Sequence, residues 1–552
     1  MSTAGKGLLA IIVTSALAVA ATSLAGPVAP AHGAPAAAPP SGTRDVLFVA
    51  NNWDGTADLI DPHSFQRLAR IDIIPDRTER LAEIQRDPAA QGYFLAIREL
   101  VGEGHDQFAD DMFSSHDGRY VYVSRPSFAD VVALEVETGK IVWRTKVEGY
   151  RADHMAISPD GERLLVSAST ARKVHAIDTR TGRIVGSFES GDQPHENNYS
   201  ADGTRIFHAS IGTVYTPLDD PAFDSTKGDR WFEVVDARTL KVLKRIDVGK
   251  KLAEAGFPNM SSAVRPMAIA PGERYFYFQL SFLHGFVEYD LQEDRPLRIA
   301  QLPLSEKAKS MRREQYLLDS AHHGLSMNPE GTKLCAAGTM SGYAAIVSRQ
   351  TFAYKIIPVG EVPYWSTNSA DGRYCFVSVA GDDRVSVISY ADEREVARIP
   401  VGDHPQRMRM GRVRAANFAD ARCSARGAPR SWFDQPGRRP SRARLVLRGA
   451  AGHPCDVRSQ SAVARVLVSV ARLHSGGRCR FVTTTGRLGP LRSCRRPLFH
   501  VAAGRTRWSL KLKRSLPPGL YQAQARALDA AGNRERSVRY GTPRNLITFR
   551  LR

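Results

Sequence analysis

An Asp-Gly turn followed by a strand of alternating apolar side chains recurs along most of this chain. One copy is the segment 158–166, in which Asp160-Gly161 precedes an apolar strand. The first three turn glycines are 43 and 42 residues apart, and the full set is Gly118, Gly161, Gly203, Gly272, Gly331 and Gly372. A period near 40 residues with several strands per repeat is typical of a β-propeller.

Each repeat contains four apolar segments of strand length. In the third repeat these segments fall at 155–158, 163–167, 174–178 and 184–188. A polar turn separates the last two segments. Apolar residues recur at every second position within the segments, as in strands of sheets that pack face to face. We therefore predict four antiparallel strands per blade.

The two ends of this region complement each other. Six turns define six blades, but Asp45–Asn51 is a strand without an inner strand before it, and His404–Met410 is an inner strand without a blade after it. Pairing them would leave no open sheet edge. The sequence thus predicts an all-β fold, a seven-bladed propeller over 45–414 closed by N- and C-terminal strands, with a helical cap at about 77–103 and long loops near 213–230 and 305–318.

The N-terminus has the pattern of an export signal. Lys6 precedes an apolar run from Leu8 to Ala25, and small residues follow. We expect a signal peptide over 1–33 and a flexible leader over 34–44, hence an extracytoplasmic monomer that has no transmembrane helix after cleavage. The apolar run is also long enough for an uncleaved anchor, which stays open as an alternative.

Charge divides the chain into two parts. Hydrophobic residues make up 43% and charged residues 24%, which excludes fibrous and wholly disordered classes. The net charge is +19, yet 411–552 holds 31 basic and only 5 acidic residues, and 29 of the basic ones are Arg. The body is therefore mildly acidic, and it is followed by a strongly basic region.

The basic region has the pattern of a second domain. A linker is expected at 415–440, and alternating apolar segments return over 441–552. The run from Leu516 to Ala523, with Gly519 two residues before Tyr521, and the Asp529–Asn533 turn resemble the final hairpin of bacterial immunoglobulin-like domains. That resemblance implies a small β-sandwich without catalytic residues.

Three interpretations of the basic charge stay open. The Arg side chains form a solvated face, or they bind an anionic cell-envelope polymer through guanidinium groups, or they bind nucleic acid. Nucleic acid is not expected, because aromatic residues are not interleaved with the basic clusters and because export separates the chain from genomic targets.

Six cysteines fit an oxidising compartment, where structural disulfides are the default. Cys335 and Cys375 follow the turn glycines of neighbouring blades by four and three residues, so they point to opposite faces of equivalent strands. Because opposite faces of adjacent blades meet, we expect them to bond. In the basic domain we expect Cys479 to pair with Cys494, and Cys423 with Cys455.

The segments Val359–Pro363 and Val401–Pro405, together with the Asp-Gly turns, resemble the YVTN-type propeller repeats of exported bacterial proteins. That group is related to the lactonase-like and nitrous oxide reductase-like seven-bladed propellers. The resemblance implies the fold over about 45–414. It leaves function open, since such propellers host binding, lyase, lactonase and redox roles.

One column of residues, read at the entry to each inner strand, is rich in ionisable groups. Its members lie eight residues before a turn glycine, or at the matching place in the fifth and closing blades. They are Asp110, Asp153, His195, Arg265, His323, Tyr364 and His404, with His154, Glu196 and Trp365 beside them. In a propeller such a column surrounds the central channel, so these residues are the predicted ligand-binding set.

Imidazole and carboxylate groups together suit Zn, Mn, Fe or Cu and also proton transfer at neutral pH. We expect a small-molecule, envelope or metal ligand at this channel mouth, with His195, His323 and His404 as candidate ligands of a divalent transition metal. The alternatives are a lactonase-like hydrolase or lyase with Asp110 or Asp153 as base, and a solvated pore. A redox role is disfavoured, because the basic domain lacks the Cys and His cluster of a dinuclear copper site.

Overall fold

Alternating apolar strands separated by glycine turns assemble into seven four-stranded antiparallel sheets, the blades of a propeller. The structure is a computed structural model that describes residues 42–214, 221–415, 429–433, 445–452, 463–494, 496–530, 532, 534–535 and 545–551. The predicted signal peptide lies outside these residues, as does the Cys423–Cys455 pair.

Blade one joins the two ends of the propeller, as predicted. Its sheet has the order β28-β1-β2-β3, in which β28 from the C-terminal end is the inner strand. The register pairs Thr43 with Arg414 and Leu47 with Met410. The four strands are β1 Thr43–Asn51, β2 Thr56–Ile60, β3 Arg67–Asp72 and β28 Pro405–Arg414.

The remaining six blades each use four consecutive strands, from the inner to the outer edge. Blades two to four comprise β4 Met112–Ser114, β5 Tyr120–Arg125, β6 Asp130–Glu135, β7 Ile141–Lys146, β8 Ala152–Ile157, β9 Arg163–Ala168, β10 Lys173–Asp178, β11 Ile184–Glu189, β12 Pro194–Tyr199, β13 Arg205–Ser210, β14 Phe232–Asp236 and β15 Val242–Ile246. Blades five to seven comprise β16 Val264–Ile269, β17 Tyr275–Leu280, β18 Gly285–Asp290, β19 Arg295–Gln301, β20 Leu325–Met327, β21 Lys333–Gly338, β22 Tyr343–Ser348, β23 Tyr354–Pro358, β24 Pro363–Asn368, β25 Tyr374–Val379, β26 Arg384–Ser389 and β27 Arg394–Pro400.

Short helices occupy the longer connections. The α-helices are α1 Arg77–Gln85, α2 Pro88–Ala96, α3 Val248–Glu254 and α4 Glu306–Ser310, and a π-helical turn, Ile97–Val101, continues α2. Asp87 starts α2 by accepting hydrogen bonds from the amides of Ala89 and Ala90. Single 3₁₀ turns are Pro126–Phe128, Ser169–Ala171, Pro221–Thr226, Arg313–Gln315, Leu317–Asp319 and Ala380–Asp382.

The propeller core lies between neighbouring blades. Val131 and Ala133 of blade two, for example, pack in one buried cluster with Met155, Leu164 and Val166 of blade three. Blades six and seven are also linked covalently by Cys335 and Cys375, whose Cα atoms are 6.5 Å apart, so the predicted bond is confirmed.

The C-terminal region forms two further sheets that share one core. The sheets have the orders β29-β30-β36-β35 and β33-β32-β31-β37-β38, and β34 pairs with β31. Their strands are β29 Arg430–Phe433, β30 Val446–Gly452, β31 Val463–His474, β32 Arg478–Val482, β33 Leu488–Ser493, β34 His500–Val501, β35 Ala503–Gly504, β36 Arg507–Lys511, β37 Gly519–Asp529 and β38 Leu546–Leu551. Trp508 and Leu510 of one sheet pack against Val468 and Tyr521 of the other. This is a small β-sandwich.

The predicted Cys479–Cys494 disulfide is also formed, with a Cα separation of 5.0 Å. Disulfides indicate an oxidising, extracytoplasmic environment. Among the residues that the structure describes, no helix has both the length and the apolarity needed to cross a bilayer.

Candidate functional site

The inner strands carry a bulge where they begin. In blade three, Ala152 pairs with Ala168 but the next ladder pair is Met155 with Val166, so Asp153 and His154 together face one position of the neighbouring strand. Blades one, four, five and seven have the same irregularity at the same place. A bulge redirects side chains out of the normal alternation, and here it brings consecutive residues to the channel.

These residues surround a buried cavity of about 30 Å³. Six of the seven predicted column residues line it: Asp110, Asp153, His195, Arg265, His323 and Tyr364. Several other polar residues that the sequence did not predict also line it, namely Gln107, Arg151, Gln193, Gln406 and Arg407. His154 and the apolar side chains of Val101, Ile211, Val214 and Leu318 complete the lining.

The structure places His404 away from this cavity, in contrast to the prediction. Its φ of +54° matches that of Gln193 at +51° and of Val362 at +52°, and each of these residues precedes the proline that begins an inner strand. The column residue of blade one is therefore Gln406, two positions later. His404 instead stacks on Trp53, with ring centroids 3.7 Å apart.

His154 is at the centre of the ionisable groups. Its Nδ1 lies 2.8 Å from Oε2 of Glu196. Its Nε2 lies 3.7 Å from Oδ1 of Asp153 and 4.0 Å from Oδ2 of Asp110. When Glu196 is ionised, its carboxylate accepts a hydrogen bond from Nδ1–H, and Nε2 then carries the lone pair that faces the two aspartates.

Two sets of three donor atoms lie close enough to share one metal ion. They are Asp110, Asp153 and His154, and His154, His195 and Glu196, with all ligand atoms of a set within 4.8 Å of one another. Ligands at the usual 2.0–2.2 Å in tetrahedral geometry lie about 3.4 Å apart, close to the separations at His154 Nε2. The predicted set of His195, His323 and His404 does not come together, because His404 lies elsewhere.

Two arginines from the closing strand β28 balance the acidic groups. Nε of Arg407 donates to Oδ2 of Asp110 at 3.2 Å, and its guanidinium lies 4.2 Å from the ring centroid of Trp365. Arg409 donates two hydrogen bonds, of 2.9 and 2.7 Å, to the carboxylate of Asp111. The sequence does contain a signal for Arg407. Arg407 is the second residue of the bulge in blade one, and His154 has the same position in blade three.

One carboxylate oxygen is left over. Nη1 of Arg151 and the hydroxyl of Ser169 both donate to Oδ2 of Asp153, at 2.8 Å each. Oδ1 of Asp153 is buried and has no hydrogen-bond partner in the described part of the chain. The oxygen nearest Nε2 of His154 is thus the one available for a ligand.

Burial dominates the protonation of the site. It raises the pKa of Asp110 to about 7, with Arg407 opposing and the Asp153 charge adding to the shift, and it raises the pKa of Glu196. Burial, reinforced by the Arg407 charge, holds the pKa values of His154, His195 and His323 well below the usual range. The imidazoles are therefore neutral at pH 7, the form that binds metals.

The family model described as outer membrane protein assembly factor BamB matches residues 102–216 and 127–243, so this part of the propeller is similar to BamB. No curated protein sequence matches the chain.

Solved structures give remote matches. Hydrazine synthase from Kuenenia stuttgartiensis aligns with a TM-score of 0.42 and 15% identity over 54% of this chain and 88% of that one. The dihydro-heme d1 dehydrogenase NirN, in complex with DHE, aligns with a TM-score of 0.41 and 13% identity over 65% of each chain.

Proposed function

We propose that this chain is an exported propeller that binds one divalent transition metal ion in its channel and is attached to the cell envelope by its basic sandwich. In this proposal 1–33 is the signal peptide, 34–44 the leader, 45–414 a YVTN-type propeller, 415–440 the linker and 441–552 an immunoglobulin-like domain. The two disulfides support export, since they form in oxidising compartments.

The observation that carries the metal assignment is the set Asp110, Asp153 and His154. Nε2 of His154 faces the free Oδ1 of Asp153 at 3.7 Å, while Glu196 holds the opposite ring nitrogen at 2.8 Å. A carboxylate behind a metal-binding imidazole fixes the ring and raises its basicity. Mixed N and O donors suit Zn, Mn, Fe or Cu.

Cavity size favours an ion over an organic ligand. A volume of about 30 Å³ accommodates about one or two water-sized groups, and a drug-sized molecule needs roughly ten times more. A bound cation would also offset the mutual repulsion of the Asp110 and Asp153 carboxylates, which contributes to the raised pKa of Asp110.

The second candidate is a metal-dependent lactonase-like hydrolase or lyase. It is favoured by Asp110, because a carboxyl group with a pKa of about 7 can exchange protons at neutral pH. The small cavity counts against it, since a substrate must first open the site. Lactone hydrolysis by the metal-loaded wild type, absent from the metal-free protein, would favour this candidate.

Metal analysis tests the proposal. The tag-free mature protein is treated with a chelator, incubated with Zn²⁺ or Mn²⁺, desalted, and analysed by mass spectrometry for bound metal. We expect one ion per chain in the wild type, none in His154→Ala, and weaker binding by about 10- to 100-fold in Glu196→Gln.

His404→Ala is the matched control, because it also removes a buried imidazole but one outside the cavity. It should retain the ion. One ion per chain in His154→Ala, or none in the reloaded wild type, would overturn the metal assignment.

A further inference from the structure

Two neighbouring strands of the sandwich, β31 and β32, are apolar at one end and basic at the other. On one face of β31, Val466, Val468 and Val470 belong to the buried core, and Arg472 and His474 follow on the same face. On β32 the order is reversed, so that exposed Arg478 and Arg480 precede the buried Val482. The core face thus continues as a basic face where the hairpin extends past the core.

The register places these basic groups directly opposite one another. Arg472 pairs with Arg480, and His474 pairs with Arg478. Side chains in such positions have Cβ atoms about 4.5–5.5 Å apart, and like charges there destabilise a sheet. We refer to Arg472, His474, Arg478 and Arg480 as the arginine hairpin.

On the described surface of the sandwich, no exposed carboxylate offsets this positive charge. Between 429 and 551, the carboxylates that the structure describes belong to Asp529 and Glu535, which are only 3% and 2% exposed. Glu535 is occupied within the fold, where it accepts from the amide and the hydroxyl of Ser431. Arg478 donates to the carbonyl of Leu491, a neutral partner. The like charges are therefore unscreened by carboxylates in the described part of this domain.

The hairpin is also held rigid. Cys479 lies between Arg478 and Arg480 and points to the opposite face, where it is bonded to Cys494. There it packs with Ala471 and Phe481, and Leu473 and Leu498 lie against them. The guanidinium groups are thus carried by a backbone fixed before any ligand arrives, which reduces the ordering cost of binding.

We propose that the arginine hairpin binds the phosphodiester groups of an anionic cell-envelope polymer. Each guanidinium offers a planar pair of donors that matches two oxygens of a phosphate. The fixed spacing of the paired basic residues suits a polymer that carries one phosphate charge per repeat unit. Phe481 beside Arg480 and Tyr521 opposite Arg472 are buried, so neither ring offers a stacking platform for bases on the described part of this face. This proposal rests on the envelope attachment proposed above and is independent of the metal ion.

Binding to poly(glycerol phosphate) of defined length tests the proposal. The full-length mature protein is titrated with this polymer at 50 and 200 mM salt. We expect Arg478→Ala/Arg480→Ala to bind at least 10-fold more weakly than the wild type and to show a shallower salt dependence. The control Arg487→Ala/Arg514→Ala removes the same charge at other exposed positions and should change affinity less than twofold.

Arg480→Glu separates binding from folding. It converts the Arg472 pair into one of opposite charge, so we expect the melting temperature of the sandwich to stay the same or rise while binding is lost. Unchanged binding in Arg480→Glu, an equal loss in the control, or tighter binding of oligothymidylate than of poly(glycerol phosphate) would each overturn the proposal. Metal content, measured on the same samples, should stay at the wild-type value, which keeps this test separate from that of the channel site.

Discussion

The side-chain amide of Asn52 donates a hydrogen bond to Oε1 of Gln406, 2.8 Å away, across 354 positions of sequence. The same amide donates to the carbonyl of Ala109 at 2.7 Å. Asn52 follows β1 and Gln406 lies in the closing strand β28, so this buried contact joins the two ends of the propeller beside the channel cavity.

Loss of this contact should weaken ring closure. Asn52→Ala leaves the buried Gln406 amide and the Ala109 carbonyl without their donor, which costs about 1–3 kcal/mol per unsatisfied group. Urea unfolding followed by tryptophan fluorescence should show the lower midpoint. Gln301→Ala, at an exposed amide, should leave it unchanged, and equal midpoints for the two variants would contradict a role in closure.

A buried ion pair ties the helical segment to blade two. Arg125 is fully buried and binds Asp130 through Nε and Asp76, which precedes α1, through Nη1, at 2.7 and 2.6 Å. Arg125→Met removes one partner from each carboxylate, while Asp130 keeps Arg144 and Asp76 keeps Arg80. We therefore expect a loss of about 1–3 kcal/mol in the free energy of unfolding. Arg119→Met, which breaks an exposed pair with Glu135, should have no measurable effect, and a similarly silent Arg125→Met would refute the assignment.

The bond between blades six and seven should stabilise the propeller. It closes a loop with a sequence separation of 40 residues, for which loop entropy predicts up to about 4 kcal/mol. Cys335→Ala/Cys375→Ala should therefore lower the calorimetric melting temperature of the propeller and leave that of the sandwich unchanged. An unaltered propeller transition would show that the blades hold together without the bond.

Acid should destabilise the propeller through buried imidazoles. Burial lowers the pKa of His322 and His404 to about 3 and that of His284 to about 4, whereas an unfolded histidine titrates near pH 6.5. Below that pH the unfolded chain takes up protons that the folded chain does not. Stability is therefore complete above about pH 6.5 and falls towards pH 4, by up to about 1.4 kcal/mol per pH unit for each histidine.

His404→Phe isolates one of these contributions. It keeps an aromatic ring against Trp53 but removes the titrating group, so the melting temperature should fall less steeply between pH 6.5 and 4.5 than in the wild type. The same slope in His404→Phe and in the wild type would exclude His404 as a source of acid sensitivity.

The blade count, the strand exchange between β1 and β28, and two disulfides were predictable because they depend on local signals. Turn glycines mark repeats, and an orphan strand at each end can only pair with the other. Side-chain direction at the channel was less predictable, because the alternation of a strand fails at a bulge. Asp153 and His154 both reach the cavity for this reason. Both belonged to the predicted set, but the alignment follows one residue per blade and placed His154 only beside the column.

The displacement of His404 has a related cause. Blade one has no turn glycine after its inner strand from which to count back, so the alignment depended on the strand start alone. Pro405 corresponds to Pro194 and Pro363, which would have identified Gln406 as the column residue. Arg407 and its contact with Asp110 depend on ring closure, which joins residues 297 positions apart.

Ring closure by β28 also determines when this protein can finish folding. During synthesis the N-terminal strands emerge first, yet β1 has no inner partner until residues 405–414 follow. The nascent chain therefore has an unpaired strand edge until nearly all of the propeller has been synthesised. Such an edge can pair wrongly with other chains. A chain that stops before Pro405 would keep that edge permanently, so its fate should be aggregation or proteolysis rather than accumulation as a six-bladed ring.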